Sequence, residues 1–192
     1  MDNIELFHLI NAGPDLGTVP RLLATFVGEW MGYPIGVALI VLGIRRDRST
    51  RTDLLEMLAA ALLSLALARL VAHVWPHPRP FVLHLGTQYL PHGASPSLPS
   101  SHTTFFVALA LAAFWTRRLA VFGPLLLAAA LLIGWARVFL GVHFPYDVLA
   151  AFPVAAGGVA ASHGIRLAAR RWAPGRAPRP ARAHALPQAP SG

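Results

Sequence analysis

Three short stretches of this chain hold residues whose types and spacing could do chemistry. In "ARVFLGVHFPYD", residues 136–147, His143 and Asp147 lie four apart, and Pro145 suits the first position of a helix, where its missing N–H costs nothing. A helical turn over these residues would set the Asp147 carboxylate against the His143 imidazole. The carboxylate could then accept from Nδ1, fix the tautomer and leave Nε2 free as a base or nucleophile. The same pair also fits a helix-start acid beside a loop histidine. Arg137, six residues before His143 across a glycine-containing turn, tilts the reading, because a guanidinium near the end of an apolar segment needs an anionic partner or a path to water. Its planar fork matches a phosphate.

The second stretch is "HVWPHPRPF", where Pro78 and Pro80 restrict the backbone on either side of Arg79. The third is "PSSHTT". Pro99 stiffens its approach, Ser100 or Ser101 can cap the helix that follows, and the free N–H groups of the first turn offer an anion site. His102 would stand at the rim of that site, placed to give a proton to a leaving oxygen. Taken singly, Arg79 fits a loop arginine and Ser100, Ser101 and His102 fit a cap with an interfacial histidine. Together they make a metal-free phosphoryl-transfer set. His143 attacks phosphorus in line, His102 protonates the departing oxygen, and Arg79, Arg137 and the helix-end amides stabilise the charge on the equatorial oxygens. Water then hydrolyses the phosphohistidine. Zinc held by the histidines and Asp147 is the chemical competitor, disfavoured because nearby arginines raise the cost of another cation. With no cysteine in the chain, thiolate metal sites, thiol nucleophiles and disulfides are ruled out, and no cofactor is called for.

These residues must be positioned by membrane helices. Of the 192 residues, 55% are apolar and 12% charged, and the mean hydropathy is +0.54. Residues 22–44, 54–75, 103–116, 119–136 and 146–169 form apolar segments, of which three approach or exceed the ~20 residues that span about 30 Å of hydrocarbon. The two shorter ones can be completed from their flanks, the 119–136 span running on to about Arg137. The expectation is an all-α, polytopic membrane bundle of about five spans. Before them, "IELFHLI" reads as a short interfacial helix ended by Asn11, Gly13 and Pro14. The acidic start carries no signal-peptide pattern.

All sixteen basic residues are arginine, and twelve fall in residues 45–51, residues 117–118 and the region from Arg166 onward. With five spans those places share one side, which the positive-inside rule makes cytoplasmic. The N-terminus and all three chemical clusters then face outward. The +8 charge is spread over membrane-flanking loops, where it can meet anionic lipid heads, and it builds no nucleic-acid recognition face. Residues 1–171 are read as one membrane domain. Residues 172–192, rich in Pro, Ala and Arg, are read as a disordered cytoplasmic tail. Nothing in the sequence fixes an oligomeric state.

The three clusters together resemble the PAP2, or type 2 phosphatidic acid phosphatase, superfamily of metal-independent membrane lipid phosphatases. Its blocks survive as "RP" at Arg79 and Pro80, "PSSH" at Pro99 to His102, and Arg137, His143 and Asp147 at the family's spacing. The resemblance implies His143 as nucleophile, Asp147 as its orienter, His102 as general acid, and Arg79, Ser100 and Arg137 as phosphate ligands, with the Ser101 N–H in place of the family's glycine amide. Two other positions also depart from the family. Ala136 replaces a serine, and Ala72 stands where the family has lysine, which removes a positive charge from a dianion site. His73 or Arg69 could compensate; otherwise an intramembrane Arg69 calls for an internal partner such as Glu29 or Glu56. Among short members of the family, the chain is most similar to the bacterial undecaprenyl-diphosphatases of the BcrC type, which act on a polyprenyl diphosphate outside the cytoplasmic membrane in cell-wall synthesis and are linked to bacitracin resistance. A phosphatidate or phosphatidylglycerol-phosphate phosphatase, a lipid phosphotransferase, and a membrane interaction protein with weakened catalysis are the alternatives.

Overall fold

The computed structural model describes residues 1–172, and within them every regular element is helical. In chain order these are α1 (Asn3–Ile10), α2 (Thr18–Thr25), a π-helical turn (Phe26–Trp30), α3 (Gly32–Arg45), α4 (Arg48–Val74), a 3-10 turn (Pro80–Leu83), α5 (Ser101–Phe114), a second 3-10 turn (Ala120–Phe122), α6 (Gly123–Phe139) and α7 (Pro145–Trp172). The tail expected from residue 172 lies, beyond Trp172, outside the described residues.

Local signals explain where the helices begin. Asp2 caps α1 by accepting from the N–H groups of Ile4 (2.9 Å) and Glu5 (2.8 Å), and the Glu5 carboxylate accepts from the Asp2 N–H in return (2.8 Å). Asp47 accepts from the Thr50 N–H at the start of α4. Arg51 donates to the carbonyls of Gly43 and Ile44 and so satisfies the end of α3.

α5 packs against α4, α6 and α7, and α4 also packs along α7, so four helices form a bundle with α5 inside. The sequence of α5 fits that place. It is apolar all round, and nine of its fourteen residues are buried. The other helices turn apolar side chains outward, among them Val37 and Ile40 of α3, Leu55 and Leu62 of α4, Leu125 of α6 and Leu149 of α7. That is the surface of a multi-pass membrane bundle, whose solvent is lipid. Between α4 and α7 the backbones come so close that a Cβ on Gly158 would stand 2.2 Å from Ser64 Oγ.

Three segments, Arg48–Val74, Ala120–Phe139 and Pro145–Trp172, are long and apolar enough to cross a membrane, and a fourth results if α2 and α3 are counted as one span bent by 45° at the π-helical turn. The flanks do not complete α5. It has fourteen residues, or about 21 Å at 1.5 Å per residue. A short helix is tolerated there because its surroundings are protein, so its ends need not reach the lipid head groups.

The ends of the helices that carry the three stretches are tied into one layer. Asn11, expected as a helix stop, donates from Nδ2 to the carbonyls of Thr87 (3.0 Å) and Phe139 (3.1 Å) and accepts from the Thr87 N–H (2.7 Å). Phe7 of α1 packs with Val138 and Phe144. Gly141, with φ +78°, lies against the same loop, and a Cβ there would sit 2.2 Å from the Thr87 carbonyl oxygen. Gly141→Ala is therefore expected to lose about 1–3 kcal/mol through strain and collision two residues before His143. A lower unfolding temperature in detergent would register it, and an unchanged one would contradict this account.

Candidate active site

The turn from α6 into α7 brings His143 and Asp147 together, His143 in the turn itself and Asp147 in the first turn of α7. His143 is 2% exposed and Asp147 fully buried, with His143 Nδ1 3.3 Å from Asp147 Oδ2. The same oxygen accepts from the Phe144 N–H (2.8 Å) and the Ser97 hydroxyl. The other carboxylate oxygen, Oδ1, is buried and unpartnered.

Arg79 reaches the far side of the ring. Its Nε donates to the Ser95 carbonyl (2.9 Å), its Nη2 to the Pro96 carbonyl (3.2 Å) and the Ser95 hydroxyl (3.4 Å), and its Nη1 to the Val142 carbonyl (2.8 Å). Nη1 also stands 3.1 Å from His143 Nε2. A guanidinium can only donate, so Nε2 accepts and the ring proton belongs on Nδ1, facing Asp147. Four of the five N–H groups hold the loop and the His143 turn in place. The fifth points along the lone pair that an in-line attack would use, and it is the donor free to turn to an oxygen bound there.

Burial sets the charges. It pushes the His143 imidazole down to about 4, with Asp147 pulling upward and Arg79 adding to the fall, so the ring is neutral at physiological pH. Burial also lowers the Arg79 guanidinium, to about 10, helped by the Arg137 charge and opposed by Asp147, which leaves it cationic.

Ser100 occupies the N-cap of α5, but its hydroxyl does not cap. It is fully buried and accepts from the Thr103 hydroxyl (3.0 Å), and its N–H donates to the Asp147 carbonyl (3.0 Å). This bond fastens the start of α5 to the first turn of α7. The amides of Ser101, His102 and Thr103 have no protein acceptor among the described residues. Ser101 is exposed and His102 partly so.

Arg137 is 1% exposed, and its Nη1 donates to Glu29 Oε2 (2.7 Å) on the π-helical turn. Glu29 therefore partners Arg137 and Glu56 partners Arg166, so neither pairs with Arg69 as sequence reasoning had allowed. Arg69 and His73 are both exposed, and among the described residues neither is hydrogen-bonded to a site residue. Among the described residues, no three of His, Asp and Glu converge as a metal site.

Two residues at the site escape sequence reasoning, and a third, Glu29, has a partner other than the one expected. Ser97 lies in the same Pro-rich run as Ser100, two residues before Pro99, and its N–H donates to the His77 carbonyl (2.8 Å). His92 sits with its ring centroid 6.5 Å from that of His143. Burial lowers its imidazole pKa. Glu29 was visible as an acid in an apolar segment, but its partner was not.

Comparison with known proteins agrees with this geometry. Residues 53–171 match the PAP2 superfamily. The chain is 37% identical over 147 residues to Escherichia coli (strain K12) YbjG, described as a candidate undecaprenyl-diphosphatase, covering 77% of this chain and 74% of that one. It is 29% identical over 153 residues to the Bacillus subtilis (strain 168) undecaprenyl-diphosphatase BcrC, covering 80% and 78%. The crystal structure of Aquifex aeolicus LpxE superposes with a TM-score of 0.67 at 27% identity over 84% of this chain and 94% of that one. A Bacillus subtilis PAP2-type phosphatidylglycerolphosphate phosphatase shares the fold, with a TM-score of 0.58 at 18% identity over 88% and 87%. With the matched region taking in α4 to α7 and both halves of the His143–Asp147 pair, the chain belongs to the PAP2 superfamily and is a membrane hydrolase of that superfamily.

Proposed function

We propose that this protein is a metal-independent lipid phosphatase that works through a phosphohistidine at His143, and that its substrate is undecaprenyl diphosphate. The observation that carries the mechanism is the pair of contacts on the His143 ring, with Asp147 on Nδ1 and an Arg79 N–H on Nε2. Nε2 attacks the terminal phosphorus, and the bond from that phosphorus to the bridging oxygen breaks. His102 gives its proton to the departing oxygen. Arg79, Arg137, Ser100 and the amides from Ser101 onward hold the equatorial oxygens. Water, yielding a proton to His102, then cleaves the P–N bond and frees orthophosphate.

Two observations favour a long-chain lipid. An apolar groove of about 660 Å³ runs between α3, α4 and α5, from Gly32 beside Phe106 to Ile44 and Arg51. Gly32, at one end of it, follows the π-helical turn that carries Glu29 by two residues, so a chain lying in it would have its head toward that turn. The relatives named for undecaprenyl-diphosphatase support the diphosphate over phosphatidate or phosphatidylglycerol phosphate. In this reading the bent α2–α3 pair, α4, α5, α6 and α7 make five spans. The arginines of residues 45–51 and 117–118 and those from Arg166 onward lie in the cytoplasm beside anionic lipids, and the site opens at the outer face of a bacterial cytoplasmic membrane.

Purified protein supplied side by side with undecaprenyl diphosphate, phosphatidylglycerol phosphate and phosphatidate, with a chelator present, is expected to release orthophosphate fastest from the diphosphate. Faster turnover of either monophosphate would move the assignment to that lipid. Strict dependence on divalent metal would overturn the mechanism, and no release from any lipid would leave a membrane interaction protein.

A further inference from the structure

Arg137 must satisfy two demands. A guanidinium 1% exposed within an apolar helix needs a counter-anion at all times, and in the resting protein Glu29 supplies it at 2.7 Å. The phosphatase reading, on which this inference rests, asks the same guanidinium to bind phosphate. We infer that Glu29 is a positioning residue whose carboxylate stands in the place of the phosphate on Arg137 and is displaced when a lipid phosphate binds.

The geometry around the pair supports an exchange over a permanent bond. Arg137 is only partly satisfied. Nη1 carries the Glu29 contact and a long one to the Gly28 carbonyl at 3.4 Å, while Nε is buried with no partner. A tetrahedral phosphate can take two guanidinium N–H groups at once, whereas the carboxylate here takes one. The two partners also differ in mobility. The Glu29 side chain is 44% exposed, so it can swing away, whereas Arg137 is enclosed.

The backbone that carries Glu29 is fixed. A Cβ on Gly28 would stand 3.3 Å from Leu140 Cδ1 and 3.4 Å from Ala136 Cβ, and one on Gly32 would stand 3.2 Å from the Phe106 ring. Two tight approaches thus pin the π-helical turn between α6 and α5, and only the side chain is left to move. Such turns within helices recur at functional sites. The apolar groove begins at Gly32, three residues after Glu29.

Carboxylate and phosphate are like charges, so occupation by one excludes the other. The apparent affinity for any phosphate falls by the fraction of time that Arg137 is free of Glu29. Free orthophosphate, which has no tail to bury, must displace Glu29 by charge alone. A lipid phosphate brings chain burial as well. Chain burial offsets that loss for the lipid, and the carboxylate assists product release by returning to Arg137.

The test compares wild type, Glu29→Gln and Glu29→Asp, each purified in detergent, for orthophosphate binding by calorimetry and for orthophosphate inhibition of undecaprenyl diphosphate hydrolysis. Glu29→Gln is expected to bind orthophosphate at least about fivefold more tightly, the lower end of ordinary site-to-site coupling, while its phosphate-free unfolding temperature falls. A purely structural counter-ion would lower both stability and phosphate affinity, so equal or weaker binding, or none in either protein, overturns the proposal. Should Glu29→Gln fail to fold, Glu29→Asp carries the test, because a shorter carboxylate loosens the 2.7 Å contact and is also expected to tighten phosphate binding. Tighter binding without hydrolysis of any lipid would sink the phosphatase reading alone. Hydrolysis with unchanged phosphate affinity would sink the placeholder alone.

Discussion

His143→Ala is expected to lower orthophosphate release from the lipid substrate by at least ~10⁴-fold, because it removes the group that forms the covalent intermediate. What remains would be binding and charge stabilisation by Arg79, Arg137 and the amides of α5. Since His143 is 2% exposed and accepts from Arg79, its loss also opens a cavity and orphans a buried N–H. His143→Gln separates the two effects: an amide fills much of the slot and can accept from Arg79, yet it cannot form the phosphohistidine. Both variants should fail to accumulate an acid-labile, base-stable phosphoryl group that the wild type shows on rapid quenching with radiolabelled substrate. Appreciable turnover in His143→Gln would remove His143 from the nucleophile's role.

The buried imidazole also sets a pH dependence. Its pKa is depressed to about 4 against an ordinary value of about 6.5, mainly by burial. Only the neutral ring has a lone pair for attack, so the contribution of His143 to kcat/KM should be level above that range and fall as pH drops through about 4. Stability follows the same sign. Between about 6.5 and 4 the unfolded chain takes up the proton first, so the stabilisation due to a neutral His143 is complete above about 6.5 and erodes as pH falls through that window.

Much of the site could be read from the sequence because its logic is local. His143 and Asp147 are four residues apart, Pro145 between them starts α7, and the proline pair around Arg79 restricts its backbone. Each is a statement about neighbours in the chain. What could not be read depended on contacts between distant segments. Glu29 and Arg137 are 108 residues apart, and nothing in the periodicity of either segment says that a π-helical turn will press one against the other. Ser97 carries no local signal, because its hydroxyl acts on a carboxylate 50 residues away. The sequence offers Ser100 or Ser101 as the cap of α5; Ser100 takes the N-cap position, but Thr103 and the Asp147 backbone take its groups instead. The membrane helices show the same division. Apolar length locates them within a few residues, yet it leads to the expectation that the flanks complete α5, which they do not, because enclosure by α4, α6 and α7 relieves it of the length that lipid contact would demand.

Asp147 gives the second large effect, and here the two obvious substitutions should separate. In Asp147→Asn the amide must choose an orientation. The Phe144 N–H, 2.8 Å from Oδ2, and the Ser97 hydroxyl both need an acceptor at that position, while the Oδ1 position is buried with no partner. The amide oxygen therefore takes the place of Oδ2, and the NH₂ group takes that of Oδ1. The His143 Nδ1–H keeps its acceptor, so the tautomer survives and only the negative charge is lost. As Nε2 attacks phosphorus the ring becomes cationic, and without that charge the transition state should lose about 100- to 1,000-fold in kcat, as for other preorganised electrostatic groups. Asp147→Ala removes the acceptor too. The ring is then free to turn and to carry its proton on Nε2, and the loss should approach the ~10⁴-fold seen when such a dyad adopts the wrong tautomer. The expected order is wild type above Asp147→Asn above Asp147→Ala, with the phosphoenzyme still detectable in the asparagine variant. Equal losses in the two variants would mean that Asp147 acts through its charge alone, and that Phe144 and Ser97 do not fix its orientation.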